Sequence, residues 1–254
     1  MNDYQKLYVS NQDTFLAYQK YQAKQTNKYG LIFLGGFKSD MNGTKAQAIY
    51  EYSKENDYDF IRFDYFGHGQ SSENFIDGTI GIWLNNTLEI IDNLTDSKPQ
   101  ILIGSSMGGW IMLLAALARP KKIAKLIGLA AAPDFTEDLI WNYLSKSQKQ
   151  LIEKEGQISI SNEFCEDAYP ISQKLIKDGR KNLLLNNKIN LDIPLHLIHG
   201  MNDKDVPYHT SIKIAEQVTS SEVEIQLLKQ SGHRLSSAEE LKIIYQAITK
   251  FMSK

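Results

Sequence analysis

The residues most capable of chemistry lie in the pentapeptide Gly104-Ser105-Ser106-Met107-Gly108, which follows an apolar run and precedes a helix-like one. A Gly-x-Ser-x-Gly between a strand and a helix forms a very tight turn, and its glycines avoid clashes while the serine hydroxyl projects from the sheet. Centring that turn on Ser105 would place Ile103 and Met107 at the crowded positions. The spacing therefore predicts Ser106 as a nucleophile.

A serine nucleophile needs a base, and the base needs an acid that orients it, because the free hydroxyl reacts poorly near neutral pH. On a strand-turn-helix scaffold the three residues follow the chain order Ser, acid, His. Asp203, in a loop after an apolar run, is the predicted acid. Asp205 in the same loop is the competing choice, and its alternative role is a solvated loop charge or helix cap. His233, in a glycine-containing loop after the last strand-like run, is the predicted base.

The other four histidines fit the role of base less well. One precedes the serine in the chain, one lies inside a strand-like run, one stands at a strand exit and one begins a helix; they are His68, His196, His199 and His209. The negative charge of a tetrahedral intermediate also needs N–H donors. The backbone N–H of Met107 and that of Phe37, in the Gly35-Gly36-Phe37 loop, are the predicted donors, with Gly36 close behind.

The rest of the chain alternates strand-like and helix-like segments. Apolar runs typical of buried strands occupy residues 31–34, 60–63, 101–103, 123–129, 195–198 and 223–228, after weaker strand signals at 6–9 and 14–18. Helix-like segments occupy residues 44–55, 80–94, 107–119, 210–218 and 237–251. This alternation predicts an α/β fold with a mostly parallel sheet covered on both faces. The predicted nucleophile stands at the carboxyl end of a strand, where such sheets place their active sites.

The alternation stops at about residues 133–190. Amphipathic pieces at 135–144, 147–154 and 171–179, with a short strand signal at 158–160, predict a small, mostly helical cap inserted into a single domain of residues 1–254. Helices packed at the edge of the sheet are the alternative. Four aromatic residues of this stretch either line an acyl pocket or pack the cap against the body: Trp141, Tyr143, Phe164 and Tyr169.

Composition narrows the class of partner. With 28 basic and 30 acidic residues well mixed, the chain offers no basic stripe, and we expect no nucleic-acid partner. No His, Cys and carboxylate cluster has metal-ligand spacing, and no Lys-Ser/Thr pair follows the glycines of residues 64–71 as a phosphate loop requires. Cys165 is the single cysteine, the first residues lack a secretory signal pattern, and the longest apolar run, 110–118, is too short for a membrane helix. These features predict a cytoplasmic protein.

Together these residues resemble the α/β-hydrolase superfamily and, within it, the family of palmitoyl-protein thioesterases and mycophenolic acid acyl-glucuronide esterases with its bacterial relatives. The segments that carry the resemblance are residues 41–46, 61–65, 104–110, 118–120, 199–203, 206–207, 209–211 and 233–234. The resemblance implies hydrolysis of esters or acyl thioesters through Ser106, Asp203 and His233 without a cofactor. The substrate is then a small-molecule ester or acyl thioester, or an acylated protein. Two alternatives stay open: an amide or peptide hydrolase with the same triad, and a non-catalytic ligand-binding protein on the same fold.

Overall fold

Strands and helices alternate along the chain in the computed structural model, which describes residues 4–9, 13–160 and 169–253. The strands are β1 (Gln5–Tyr8), β2 (Phe15–Tyr21), β3 (Gly30–Leu34), β4 (Phe60–Phe63), β5 (Gln100–Ser105), β6 (Ile123–Leu129), β7 (Gln157–Ile160), β8 (Tyr169–Ser172), β9 (Leu195–Gly200) and β10 (Val223–Leu228). The α-helices are α1 (Thr44–Glu55), α2 (Ile80–Leu94), α3 (Met107–Ala118), α4 (Lys146–Glu155), α5 (Gln173–Gly179), α6 (His209–Gln217) and α7 (Ala238–Met252).

Eight strands form one sheet in the order β1-β2-β4-β3-β5-β6-β9-β10. The pairs from β4 to β10 are parallel, whereas β1 with β2 and β2 with β4 are antiparallel. The predicted α/β fold with a mostly parallel sheet is therefore confirmed. Because β3, β5, β9 and β10 all run in one direction, the loops that leave their carboxyl ends gather at one rim.

Both faces of the sheet are covered, which explains the continuous apolar runs of its central strands. In β3, Leu31 and Phe33 pack with buried side chains of α1 and α7, whereas Ile32 and Leu34 pack with those of α2 and α3. Successive side chains of a strand point to opposite faces, so a strand with helices on both sides must be apolar at every position. The buried pattern of β3 has no exception.

The helix ends follow local chemistry. Helix α3 ends at Ala118, one residue before the predicted end, because the residue that precedes Pro120 disfavours helical backbone. Helix α7 begins after Ser237, whose hydroxyl accepts from the amide of Glu240 while the Glu240 side chain caps in return. Within the described residues, no helix has the length and apolar character needed to cross a lipid bilayer.

The segment between β6 and β9, which the sequence predicts as mostly helical, contains both helices and strands. It contains α4, α5 and short helical turns, but also the antiparallel pair of β7 and β8. The helix predicted from residue 171 starts only at Gln173, and the two residues before it end β8. Pro170 favours extended backbone before it, and the Ser172 hydroxyl caps α5 by accepting from Leu175 N–H.

Polar contacts fasten this segment to the sheet body. Trp110 of α3 donates its indole N–H to the carbonyl of Asn182 at 3.0 Å. The Asp178 carboxylate accepts from the amide of Gly81, in the first turn of α2, at 2.7 Å. An acidic side chain is favourable at that helix end, where free amides concentrate positive potential. The segment is thus hydrogen-bonded to α2 and to α3, the helix that begins at the serine turn.

Candidate active site

The serine turn joins β5 to α3 in a strained backbone conformation. Ser106 has φ 53° and ψ −119°, a region that non-glycine residues rarely adopt. A Cβ added to Gly104 would lie 2.4 Å from the Gly108 carbonyl oxygen, and one added to Gly108 would lie 2.1 Å from the Leu34 carbonyl oxygen. Both glycines are therefore required by contact with backbone. The Ser106 amide also donates to the Leu129 carbonyl at 2.9 Å, which fixes the turn against β6.

The structure brings the three predicted triad residues together at the rim of the sheet. His233 Nε2 lies 3.0 Å from Ser106 Oγ, and His233 Nδ1 lies 2.7 Å from Asp203 Oδ2. A carboxylate only accepts, so we assign the ring proton to Nδ1 and leave Nε2 to accept from the serine hydroxyl. These are the contacts of a serine, a base and an orienting acid.

Asp203 is the member of the pair Asp203 and Asp205 that contacts the histidine. Its side chain is fully buried, and its Oδ1 accepts from the amides of Asp205 and Val206 at 2.9 and 2.8 Å. Burial raises the pKa of Asp203, but hydrogen bonds from His199 and His233 outweigh it and hold the pKa well below the usual range. The carboxylate is therefore ionised near neutral pH, as an orienting acid must be.

The two predicted oxyanion donors flank the serine. Met107 is the first residue of α3, where a helix leaves its amides without internal partners. A Cβ on Gly36 would lie 3.3 Å from Ser106 Cβ, so the loop that carries Phe37 abuts the nucleophile. Within the described part of the chain, the amides of Phe37 and Met107 donate to no protein acceptor. Both are available to a ligand.

Two buried side chains hold the loop that carries Phe37. Asp64 Oδ1 accepts from Met41 N–H at 2.6 Å, and His68 Nε2 accepts from Lys38 N–H at 3.3 Å. His68 Nδ1 lies 3.2 Å from the Phe66 carbonyl, so that nitrogen carries the proton and Nε2 is free to accept. The loop after β4 therefore supports the loop that carries Phe37.

The Phe37 ring lies at the centre of an aromatic cluster. Its centroid lies 4.9–5.9 Å from four rings, all in edge-to-face geometry, which belong to Phe75, Trp83, Phe135 and Tyr169. Tyr169 and Phe135 belong to the segment between β6 and β9. The sequence analysis offered two roles for Tyr169, the lining of an acyl pocket or packing, and the structure shows its ring packed on Phe37.

The other sequence candidates lie elsewhere. Trp141 is covered by the cations of Lys149 and Arg180, Tyr143 is 79% exposed, and Phe164 lies outside the described residues. His196 is buried against Phe251, and His209 packs on Tyr208. His199 is the residue whose place the sequence analysis underestimated: its Nε2 lies 3.1 Å from Asp203 Oδ2. The sequence carried no signal for this contact, because a four-residue spacing brings two side chains together on a helix and His199 lies at the end of a strand.

Asp203, Asp205 and His233 also offer ligand atoms within 4.8 Å of one another. This proximity arises from the fold and was not evident from their spacing in the sequence. Both oxygens of Asp203 are already engaged by protein donors, and His233 Nδ1 carries the proton shared with Asp203. The donor set therefore fits a hydrogen-bonded triad better than a cation.

Comparison with known proteins agrees with this architecture. A family model described as the alpha/beta hydrolase fold matches residues 31–174. The chain belongs to the α/β-hydrolase family.

Among its relatives, human palmitoyl-protein thioesterase ABHD10, a mitochondrial protein by name, is 41% identical over 94% of this chain and 77% of its own. The solved structure of mouse alpha/beta hydrolase domain-containing protein 10 superposes with a TM-score of 0.89 at 35% identity, covering 99% of this chain and 98% of its own. A crystal structure from Agrobacterium vitis S4 gives a TM-score of 0.93 at 31% identity and 98% coverage of both chains.

We expect Gly108→Ala to lower the free energy of unfolding by about 1–3 kcal/mol, because the added methyl group would meet the Leu34 carbonyl. Gly35→Ala is the matched control, since its Cβ would find no heavy atom nearer than 3.9 Å. The control should change stability by less than about 1 kcal/mol. Urea unfolding of both variants measures the difference, and equal stability of the two would contradict the steric argument.

The buried His68 should make the protein sensitive to acid. Burial lowers its pKa from 6.5 to about 4, against a smaller effect of the Phe66 carbonyl. Because the unfolded chain takes up the proton first, stability is lost as pH falls from 6.5 towards 4. Burial raises the pKa of Asp64 to about 6, which acts in the opposite direction over pH 3.8–6.

The variant His68→Gln separates the two effects because it keeps Asp64. Between pH 7 and pH 5 we expect wild type to lose about 2 kcal/mol more unfolding free energy than the variant. Urea titrations of both proteins at the two pH values provide the comparison. Identical pH dependence would show that His68 is not held in its neutral form.

Proposed function

We propose that this protein is a serine hydrolase that cleaves carboxylic esters and acyl thioesters through an acyl-enzyme. The observation that carries the proposal is the pair of hydrogen bonds at His233, whose Nε2 accepts from the Ser106 hydroxyl at 3.0 Å and whose Nδ1–H donates to Asp203 Oδ2 at 2.7 Å. The strained serine turn supports it further, because such strain serves to expose a nucleophile. A ligand-binding protein has no physical need for all three groups in this arrangement.

In the first half of the reaction, Ser106 Oγ attacks the acyl carbonyl carbon while His233 Nε2 takes the hydroxyl proton. Asp203 stabilises the imidazolium that forms and keeps the ring oriented. The amides of Met107 and Phe37 donate to the oxyanion, and each such donor typically contributes about 2.7–4 kcal/mol. The imidazolium then protonates the departing alcohol or thiol, which leaves an ester of Ser106.

In the second half, His233 removes a proton from water, and the resulting hydroxide attacks the acyl carbon. The same two amides stabilise the second oxyanion, and Ser106 leaves as the alcohol after it regains the proton from His233. No step of this sequence needs a metal or an organic cofactor, and protons balance over the cycle.

The relatives support the breadth of this substrate class. ABHD10 is named as a palmitoyl-protein thioesterase, which favours acyl thioesters beside esters and makes an acylated protein a candidate substrate. We propose that the segment between β6 and β9 forms a cap that selects the acyl group. Its residues Phe135 and Tyr169 contact the ring of Phe37, whose amide is the proposed oxyanion donor. A cytoplasmic location stays a prediction from sequence, whereas the human relative is named as mitochondrial.

Replacement of the nucleophile gives a direct test. Ser106→Ala should lower turnover of a short p-nitrophenyl ester by about 10³-fold or more and abolish covalent labelling by a fluorophosphonate. Ser105→Ala is the matched control, since that neighbouring residue belongs to β5 and the hydroxyl that contacts His233 is that of Ser106. Rate measurements and labelled gels report both outcomes. Undiminished labelling of Ser106→Ala would overturn the assignment.

A panel of matched substrates tests the bond type. Esters, thioesters and amides with the same acyl group should react in the order thioester and ester first, amide last, because an amine is the poorest leaving group. Comparison of kcat/KM across the panel, with acyl chains of graded length, measures this. A preference for the amide would favour the peptidase alternative. Saturable binding without turnover or labelling would favour the binding-protein alternative.

A further inference from the structure

A second histidine lies behind the catalytic acid and takes no part in the steps above. His199, at the end of β9, is fully buried, and its Nε2 lies 3.1 Å from Asp203 Oδ2 and 3.0 Å from the Val206 carbonyl oxygen. Its Nδ1 lies 2.7 Å from the hydroxyl of Ser211, which is buried in α6. A buried titratable side chain with three such contacts is held in one orientation.

The partners fix the proton on His199. A carboxylate and a carbonyl both only accept, so Nε2 must be the donor that faces Asp203 and Val206. We assign the neutral ring to His199, in which Nδ1 accepts from the hydroxyl of Ser211. The hydrogen bonds form a continuous chain from Ser211 through His199, Asp203 and His233 to Ser106.

With His199 included, four donors surround the Asp203 carboxylate. Oδ1 accepts from the amides of Asp205 and Val206, and Oδ2 accepts from His199 and His233. A carboxylate has about four acceptor positions, so none is left for water. The carboxylate cannot rotate without breaking several charge-assisted bonds, and Oδ2 therefore stays directed at His233.

We propose that His199, locked in its Nε2–H form by Ser211, is a positioning residue that fixes the carboxylate of Asp203 for the reaction. The inference rests on the proposed hydrolase function. It goes beyond the triad because it assigns a role to two buried residues on β9 and α6 that contact neither the substrate nor the nucleophile.

The proposal predicts a change in pH dependence. A carboxylate that loses the donor His199 is no longer held in line with the His233 imidazolium and stabilises it less, so the acid limb of the kcat/KM profile should move to lower pH. Other charged groups near this site are the carboxylate of Asp205, the Lys45 amine that contacts the Arg234 carbonyl, and Glu240 beside it. None of these is altered by a change at His199.

Two amide substitutions that differ in reach test the role. In His199→Asn the shorter amide reaches towards Ser211 but not towards Asp203, whereas in His199→Gln the longer amide can donate to Asp203. We expect His199→Asn to lower kcat about 10- to 100-fold with little change in KM and to move the acid limb to lower pH. We expect His199→Gln to restore most of the rate. Wild-type kcat and acid limb in folded His199→Asn, or equal losses in the two variants, would overturn the proposal.

Two further measurements keep the test decisive. If both His199 variants fail to fold, Ser211→Ala should lower kcat several-fold and shift the acid limb, and wild-type behaviour would contradict the role. Nitrogen NMR of the resting protein should show His199 as the Nε2–H tautomer, and an Nδ1–H tautomer would contradict it even without turnover. Failure of the wild-type protein to react with a fluorophosphonate would instead count against the proposed function. A failure of the His199 proposal can therefore be distinguished from a failure of the proposed hydrolase function.

Discussion

The backbone of Ser106 is the constraint on which the site depends. A left-handed conformation at a non-glycine residue costs of order 1–3 kcal/mol, and it persists only where the surroundings enforce it. Here the enforcement is steric and complete, since Gly104 and Gly108 are packed against backbone with no room for a methyl group. The buried strand β5 and helix α3 on either side supply the packing that offsets the strain. The hydroxyl is therefore positioned by the core of the protein.

The buried carboxylate of Asp203 imposes the second constraint. An ionised group removed from water must be matched by donors, because an unpaired buried charge is very unfavourable. The donors come from β9, from the turn after it and from the loop after β10, so the elements that satisfy the charge are those that bring together Asp203 and His233 in the proposed active site. The hydrogen bonds that stabilise the buried charge of Asp203 also orient His233. A substitution that removes one of them should therefore affect both the geometry of the site and the stability of the loops that form it.

The features that could be predicted from the sequence are those that depend on neighbouring residues. The alternation of strands and helices, the serine turn and the choice of Asp203 over Asp205 each rest on a few neighbouring residues, and the structure agrees with the fold and with the meeting of the three side chains. The sequence analysis did not predict β8, because the strand conformation of β8 depends on its pairing with β7. It also read His199 as shaping a strand exit, because its contact with Ser211 exists only after α6 packs beside β9. Contacts between distant segments carry no periodic signal in the chain.

The aromatic cluster on Phe37 connects the segment proposed to select the acyl group with the proposed oxyanion donor. Tyr169 and Phe135 reach it from the segment between β6 and β9, whereas Phe75 and Trp83 reach it from the other side of the loop. Each edge-to-face pair contributes about 0.5–1.5 kcal/mol beyond area burial, so the ring is held by several small interactions. Because the Phe37 amide is the proposed oxyanion donor, a substitution at Phe135 or Tyr169 that shifts the Phe37 ring should also shift that donor. If the proposed function holds, a change in this cluster should therefore affect selectivity and rate together.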